Sequence, residues 1–340
     1  MTLIVTDQIK HADSRRGLIE KRAACWMPEQ QAQAENMPVT DVLVVNLMPK
    51  KDPAIVDLSL ALGGAEDFNV RPVFLNVDLN KYQDENGKAA GYIDFPMSDY
   101  TRLLDDHDFA GVIFNGASAG ELDFKDIGGL DQLKVAMDLA RIRSGGLFNV
   151  CWSAMAGLYL DHGVNKAVSD KKIIGVFNQV ASAKGVASPL MQAWGASVPI
   201  PCGRVGYIAD KDITAVPALD VLAHTPQMQE YGLGTSIAVA EDKALRTVYM
   251  INHPEYGPDA VRKEYERDRD NGGQGGIETP YPIGDFTIAK GMDAPWKAPA
   301  HRLFNAWLHQ VSHQSRRISN DNSFQENEAP ALFCALNAPV

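Results

Sequence analysis

Two short stretches hold residues that could do chemistry together. In "NVCWSAMAGLYL" (149–160), Cys151 follows an apolar run, Leu147-Phe148-Asn149-Val150, that reads as a short buried strand. The segment after it, Ser153 to Leu160, is small, apolar and suited to a helix. A thiol at such a turn lies beside the free backbone N–H groups of a helix N-terminus, which favour thiolate over thiol. The alternative is a core cysteine, since free Cys is among the most buried residue types. The second stretch, "INHPEY" (251–256), ends another apolar run and carries His253 and Glu255. A cysteine needs a base at neutral pH, and His is the usual one. Side chains two apart on an extended chain point the same way, so Glu255 can share a cleft with His253 and orient it. Cys at one strand end and His-x-Glu at a later one make a nucleophile, a base and an orienter. Backbone N–H groups near Trp152 and in the 116–120 turn are candidates for an oxyanion hole. The chemistry this implies is acyl transfer, or amide or ester hydrolysis.

Such residues need elements to hold them. Strands are expected at 42–47 ("VLVVNL"), at 70–77 ("VRPVFLNV", with Pro72 suggesting an edge or a strand start), in "AGVIFNGASAG" (110–120), at 236–240 and at 247–252. Helices are expected at 54–62, at 130–142 from the stripe Leu133, Ala136, Leu139 and Ala140, from Pro258 to about Asp268, and at 300–312. Strands and helices alternate, which predicts an α/β fold with a doubly wound, mostly parallel sheet. Ligands bind at the carboxyl ends of strands in such sheets, where Asn115-Gly116-Ala117, Cys151 and His253 all fall. Residues 1–40 read as an N-terminal arm or irregular cap, 41–313 as one domain, and 314–340 as a polar, disordered tail. "NGGQGG" (271–276) reads as a flexible loop and the Pro-rich stretch to 299 as irregular.

The composition narrows the class. The 340 residues are 45% hydrophobic, enough for a sizeable core, and carry a formal net charge of −11. That charge argues against a nucleic-acid binder, because no basic excess exists to neutralise phosphates. Four cysteines, Cys25, Cys151, Cys202 and Cys334, show no paired spacing, which fits neither a disulfide framework nor a metal site. A reducing, cytoplasmic compartment is expected. No apolar run approaches the roughly 20 residues needed to span a bilayer, and no signal-peptide core opens the chain. Lys50 and Lys51 follow a strand and are placed to hold an anionic substrate, with a solvated turn as the alternative. Arg267 sits on the helix after His253, where surface charge is the plainer reading. Cys202 in "PIPCGRVGY" reads as a loop cysteine, or as one flanking the site.

"VLVVNLMPKK" (42–51), "CWSAMAGLY" (151–159), "GVF" (175–177), "INHPEY" (251–256), "KEYERD" (263–268) and "HRLFNAWL" (301–308) occur in this order and at similar separations in homoserine O-succinyltransferases. The chain resembles that family over roughly residues 40–313. The resemblance implies a class I glutamine-amidotransferase-like, flavodoxin-like fold for the 41–313 acyltransferase domain. It implies a ping-pong reaction in which Cys151 takes a succinyl or acetyl group from a coenzyme A thioester, His253 acts as base and Glu255 orients it. The hydroxyl of L-homoserine then takes the acyl group. Acyl-CoA is thus a co-substrate, no cofactor is permanently bound, and methionine biosynthesis is the implied setting. Small-molecule substrates and a homodimer are expected. The family's substrate-binding Lys and Arg fall on Lys172 and Arg267. A small residue at the position of Gly120 resembles the succinyl-using enzymes and Glu the acetyl-using ones; Glu121 follows immediately.

Three departures stand out. Met155 replaces a Gln four residues after the nucleophile. Gly203 replaces the Ser of a Ser-Arg segment that contacts the acceptor, although Arg204 remains. "DPAIVDL" replaces a Glu/Thr-rich stretch. Serine or another specialised hydroxy- or amino-bearing acceptor is therefore an alternative to homoserine. A Cys-His-Glu glutaminase or hydrolase is a second one. Its Gly-x-Cys-x-Gly-x-Gln pattern matches poorly here, where Asn149, Cys151, Ser153 and Met155 stand. A non-catalytic binding protein is the third, and the intact Cys-His-Glu set counts against it.

Overall fold

The computed structural model describes residues 2–13, 17–23, 25–230, 234–270 and 294–320. Strands in chain order are β1 (Thr2–Val5), β2 (Trp26–Pro28), β3 (Thr40–Asn46), β4 (Asn69–Asn76), β5 (Asp78–Gln83), β6 (Ala89–Asp94), β7 (Phe109–Phe114), β8 (Ile127–Gly128), β9 (Leu147–Val150), β10 (Ala167–Ala181), β11 (Ser197–Tyr207), β12 (Asp220–His224), β13 (Ile237–Asp242) and β14 (Thr247–Met250). Among the described residues, 11 of these form one sheet in the order β11-β10-β12-β13-β14-β9-β7-β3-β4-β1-β2, and β5, β6 and β8 form a small second sheet. From β2 to β14 every pairing is parallel. From β14 to β11 every pairing is antiparallel.

The central parallel strands β3, β7, β9 and β14 are buried on both faces, which is why they read as apolar runs. Val42 and Val44 pack with the helices Lys51–Leu62 and Lys297–Asn320 on one face. Leu43 and Val45 pack with Leu130–Arg143 and Trp152–His162 on the other. The doubly wound α/β architecture is thus as expected. Among the described residues, no helix is long and apolar enough to cross a membrane.

Several local expectations need correcting. Residues 1–40 are not simply an arm: β1 and β2 form one edge of the main sheet, and Thr2–Val5 is buried throughout. Four residues are too few to show a period. Pro72 does not mark an edge strand, because β4 lies between β3 and β1. It is tolerated because β1 pairs only with Asn69 and Val70. Beyond that point the Gln8 side chain takes over the free edge, bonding Phe74 N and Phe74 O at 3.2 Å each. The tail does not begin at 314, since the Lys297–Asn320 helix runs through that point with neither Gly nor Pro between 301 and 320 to stop it. Residues 271–293 and 321–340, expected as a loop and a polar tail, lie outside the described residues, as does Cys334.

Candidate active site

β9 and β14 are adjacent, parallel and central, so their carboxyl ends open side by side. Cys151 follows β9 directly, its N–H bonded to Met250 O at 2.7 Å. Its backbone sits at φ 54°, ψ −115°, a strained conformation for a residue with a side chain. The strand turns sharply there into the Trp152–His162 helix and lifts the thiol above the sheet, as at a nucleophile elbow. The 115–119 loop after β7 is fastened across this point. Ser153 Oγ donates to Asn115 O at 2.5 Å and Trp152 Nε1 to Ala119 O at 3.2 Å. A Cβ on Gly116 would stand 3.2 Å from Cys151 Cβ, tighter than most such contacts, so glycine eases the loop's close approach to the thiol. The Trp152 N–H opens the helix and has no intrahelical partner by position. It can point at an oxyanion formed on a Cys151 adduct.

His253 follows β14, its N–H bonded to Pro201 O of β11 at 2.9 Å. Its Nδ1 lies 2.7 Å from Glu255 Oε1, and the ring is close enough to Cys151 for their charges to interact. The ring stacks on Tyr256, centroids 4.0 Å apart and planes 19° apart. Burial works against the imidazolium, but the neighbouring Cys151 and Glu255 outweigh it and hold the pKa of His253 well above 6.5. All three side chains are buried. Such a set can hold a charged His beside a sulfur nucleophile and pass a proton to a leaving group.

A second cluster sits against β10 and β11. Lys172 on β10 pairs with Glu264 at 2.6 Å and with Asp268. Arg267 Nη2 reaches Asp268 at 2.7 Å and Glu264 at 3.7 Å. Tyr256 donates its hydroxyl to Glu264 at 3.2 Å, linking this cluster to the His253 ring. A Cβ on Gly203 would lie 2.6 Å from Glu264 Oε2, so the bare backbone of β11 is what leaves room for that carboxylate. Lys172, Arg267 and Gly203 thus converge on Glu264, which the sequence reading quoted within "KEYERD" without giving it a role. The signal was present: residues three apart on a helix share a face, and Glu264 and Arg267 are so spaced.

Two expected residues are placed differently. Lys51 Nζ is tied to Val77 O at 2.5 Å, Asn46 O at 3.2 Å and Asp78 at 3.0 Å, so it clamps the ends of β3 and β4 rather than standing free. It lines a cleft of about 600 Å³ that also touches Arg267 and Asp268. Gly120 does not face open space. A Cβ there would meet Val205 Cγ2 at 2.9 Å and Gly206 N at 3.1 Å, because β11 packs against the loop. Lys166 holds that loop through Gly120 O at 2.8 Å and through Leu122 O. Met155 is buried close to Gly206, and Arg204 is buried with its Nη1 on Gly206 O at 3.0 Å. Cys202 is buried in a small apolar cluster on β11, not in a loop. Among the described residues, no group of His, Cys, Asp and Glu could hold a metal ion.

A cavity of about 360 Å³ opens beside the triad, bordered by Asn115, Ser118, Glu255, Tyr256, Glu264 and Arg267. The pattern described as Homoserine O-succinyltransferase matches residues 5–317. The homoserine O-acetyltransferase of Petrotoga mobilis is 29% identical over 301 residues, covering 87% of this chain and 91% of that protein. The homoserine O-succinyltransferase of Pseudoalteromonas atlantica is 29% identical over 293 residues, covering 85% and 89%. The crystal structure of a glutamine amido transferase from Methylobacillus flagellatus aligns with a TM-score of 0.53 at 12% identity, over 80% of this chain and 96% of that one, a likeness of fold. The family match spans the main sheet, the turn at Cys151 and the His253–Glu255 pair alike: the chain belongs to the homoserine O-succinyltransferase family and is an acyltransferase.

Proposed function

We propose that this protein transfers a succinyl group from succinyl-CoA to the hydroxyl of L-homoserine through a thioester on Cys151. The observation that carries the reading is the buried set Cys151, His253 and Glu255, with His253 Nδ1 2.7 Å from Glu255 Oε1, beside a cavity that Glu264 and Arg267 also line. The Cys151 sulfur attacks the thioester carbonyl, and the oxyanion is met by the Trp152 N–H. As the carbonyl re-forms, coenzyme A leaves and takes the proton from the His253 imidazolium. The homoserine hydroxyl then attacks the acyl-enzyme and gives its proton to His253. Collapse releases O-succinylhomoserine and restores the Cys151–His253 pair. Glu255 holds the ring with Nδ1 protonated throughout.

The acceptor reading follows from charge. A zwitterionic amino acid needs an anion and a cation a few ångströms apart, and Glu264 with Arg267 supplies both. Arg267 offers its carboxylate a planar fork that Lys cannot reproduce. The choice of succinyl over acetyl rests on the resemblance at Gly120; relatives of both names align with the chain. Cys25, Cys151 and Cys202 are free thiols, in line with a reducing, cytoplasmic setting.

Intact-protein mass spectrometry tests the reading after brief exposure to succinyl-CoA or acetyl-CoA without acceptor. A succinyl adduct on Cys151, discharged by homoserine, is the expected result. An enzyme that turns over acyl-CoA and homoserine but never carries an acyl group would overturn the ping-pong route. Discharge by serine and not by homoserine would replace the acceptor alone.

A further inference from the structure

The lining of the cavity beside the triad combines buried polar groups with exposed cations. Glu255 and Asn115 are its buried polar lining residues, next to Tyr256. Asn115 is 1% exposed, and its Oδ1 is a buried acceptor with no partner. Arg22, Lys50 and Lys263 also line it. Lys50 and Lys263 are exposed, and Arg22 is half-buried. The acidic groups on the same walls are engaged within the protein, and Glu264 is also the anion offered to the acceptor. Glu255 holds His253, Glu264 holds Lys172 and Tyr256, and Asp259 meets Arg262 at 3.3 Å. Asp57 has a partner as well. The cations are not engaged to the same degree. Among the described residues no ion pair holds Arg22 or Lys50, and Lys263 has only a contact of 3.9 Å with Asp259. The cavity also lies between the starts of the Lys51–Leu62 and Ala260–Asp270 helices, which add partial positive charge.

We propose that Arg22, Lys50 and Lys263 form the subsite for the phosphate-bearing end of the acyl-CoA donor, with Asn115 Oδ1 receiving an amide N–H of the donor's arm. The inference rests on the acyl-CoA reading above and adds the residues that recognise the donor. The donor's own chemistry matches this lining. Its thioester end carries amide donors, and its far end carries several negative charges. A protein of net charge −11 repels such a molecule at long range, so local unpaired cations are needed to hold it. Arg22 comes from the short helix Leu18–Arg22, before the second strand of the sheet. The N-terminal segment therefore contributes to donor binding and not only to the edge of the sheet.

The test uses the first half-reaction, acylation of Cys151 without acceptor. It compares succinyl-CoA, succinyl-dephospho-CoA and succinyl-pantetheine on the full chain and on the variants Arg22→Gln, Lys50→Gln and Lys263→Gln. Each substitution is expected to raise the half-saturating succinyl-CoA concentration roughly tenfold, the scale of one charge-assisted hydrogen bond. Succinyl-pantetheine, which lacks the phosphates, is expected to respond equally in all four proteins. An effect that persists with succinyl-dephospho-CoA assigns the cations to the diphosphate, and one that vanishes assigns them to the 3′-phosphate; either supports the subsite. Equal losses with succinyl-pantetheine, or unchanged succinyl-CoA saturation, would overturn it. So would a rise confined to the acceptor KM. Calorimetry of free CoA on Cys151→Ala, alone and combined with Lys263→Gln, reads the same subsite without catalysis. If CoA binds and the added substitution weakens it while no acyl-enzyme forms from any donor, the ping-pong reading fails and the subsite stands.

Discussion

The Trp152–His162 helix has a buried polar cluster at each end, and the two are built differently. At its C-terminal end, Asp161 accepts from Arg141 Nη2 at 2.5 Å and from the Tyr249 hydroxyl at 2.8 Å. Arg141 also reaches Asp138 at 2.8 Å and Thr247 Oγ1 at 3.1 Å, and His162 lies 3.3 Å from Asp242. Burial and then the Asp161 charge push the Tyr249 hydroxyl far above its usual range, so it stays a donor. Arg141 in this cluster meets the opposite charges of Asp138 and Asp161, at the far end of the helix from Cys151. At the N-terminal end, Cys151 is strained and Glu255 Oε2 and Asn115 Oδ1 have no partner. A network that only holds a sheet together closes on itself. One that passes molecules keeps open valences and local strain, and the rest of the fold supplies the stability to keep them.

The largest effect separates the two ends by function. Cys151→Ala is expected to abolish turnover and the acyl adduct while leaving the unfolding midpoint close to that of the parent. His253→Ala is expected to cost more than about a hundredfold in rate, the lower range for loss of a general base. Rates are read by CoA release and folding by chemical denaturation. A full-yield adduct in Cys151→Ala, or one on Cys202, would remove the contrast.

The mirror experiment is Asp161→Asn. It leaves Arg141 buried without its main counter-charge, which typically costs about 3–5 kcal/mol of stability. Acylation per folded molecule is expected to stay near the parental value at low temperature. A stability loss below about 1 kcal/mol would place this cluster with surface ion pairs.

The two ends were unequally legible. Cys151 and His-x-Glu could be read from sequence because each ends an apolar run, and strand ends in a parallel sheet are where ligands meet. The C-terminal cluster escaped notice because Arg141, Asp161 and Tyr249 look like ordinary surface residues until three elements pack together. β10 and β11 were missed for a related reason. They belong to the antiparallel extension, and "KKIIGVF" and "VPIPCGRVGY" mix apolar residues with Pro and Gly and show no clean alternation. That omission also concealed why Gly120 is packed: Val205 and Gly206 of β11 fill the space beside it. The approach of Gly203 to Glu264 was equally invisible, since it joins a strand to a helix about sixty residues away.

Gly203→Ala tests whether the acceptor cluster belongs to the open end of this comparison. The new methyl would stand 2.6 Å from Glu264 Oε2, and the carboxylate must move. Its contacts with Lys172 and Tyr256 are the ones disturbed. The expected result is an acceptor KM raised about tenfold, equivalent to roughly 1.4 kcal/mol, with Cys151 acylation unchanged. Slower acylation at unchanged acceptor KM would assign Glu264 to the donor side. If neither changes, the Glu264–Arg267 pair is a structural network like the one around Asp161.

An effect of similar size is a displacement of a pH profile, and its sign follows from the groups facing His253. Burial disfavours the imidazolium, while Cys151 and Glu255 favour it more strongly. Glu255→Gln keeps an acceptor oxygen for Nδ1 but removes one negative charge. The imidazolium is then less favoured, and the His253 pKa falls towards 6.5. Acylation needs that proton for the departing thiol, so the alkaline limb of the acylation profile is expected to move to lower pH. A shift of about one pH unit corresponds to about 1.4 kcal/mol of lost charge stabilisation. Tyr256 shares the His253 face, but its own hydroxyl is held protonated by burial and by the nearby charges of Glu264, Cys151 and Glu255, so it does not titrate in this range. Asp161→Asn, at the far end of the same helix, is the control and should leave the limb in place. A limb that moves equally in both variants would mean that the two clusters share one electrostatic network. A limb unmoved in Glu255→Gln would mean that Glu255 orients the ring without holding its charge.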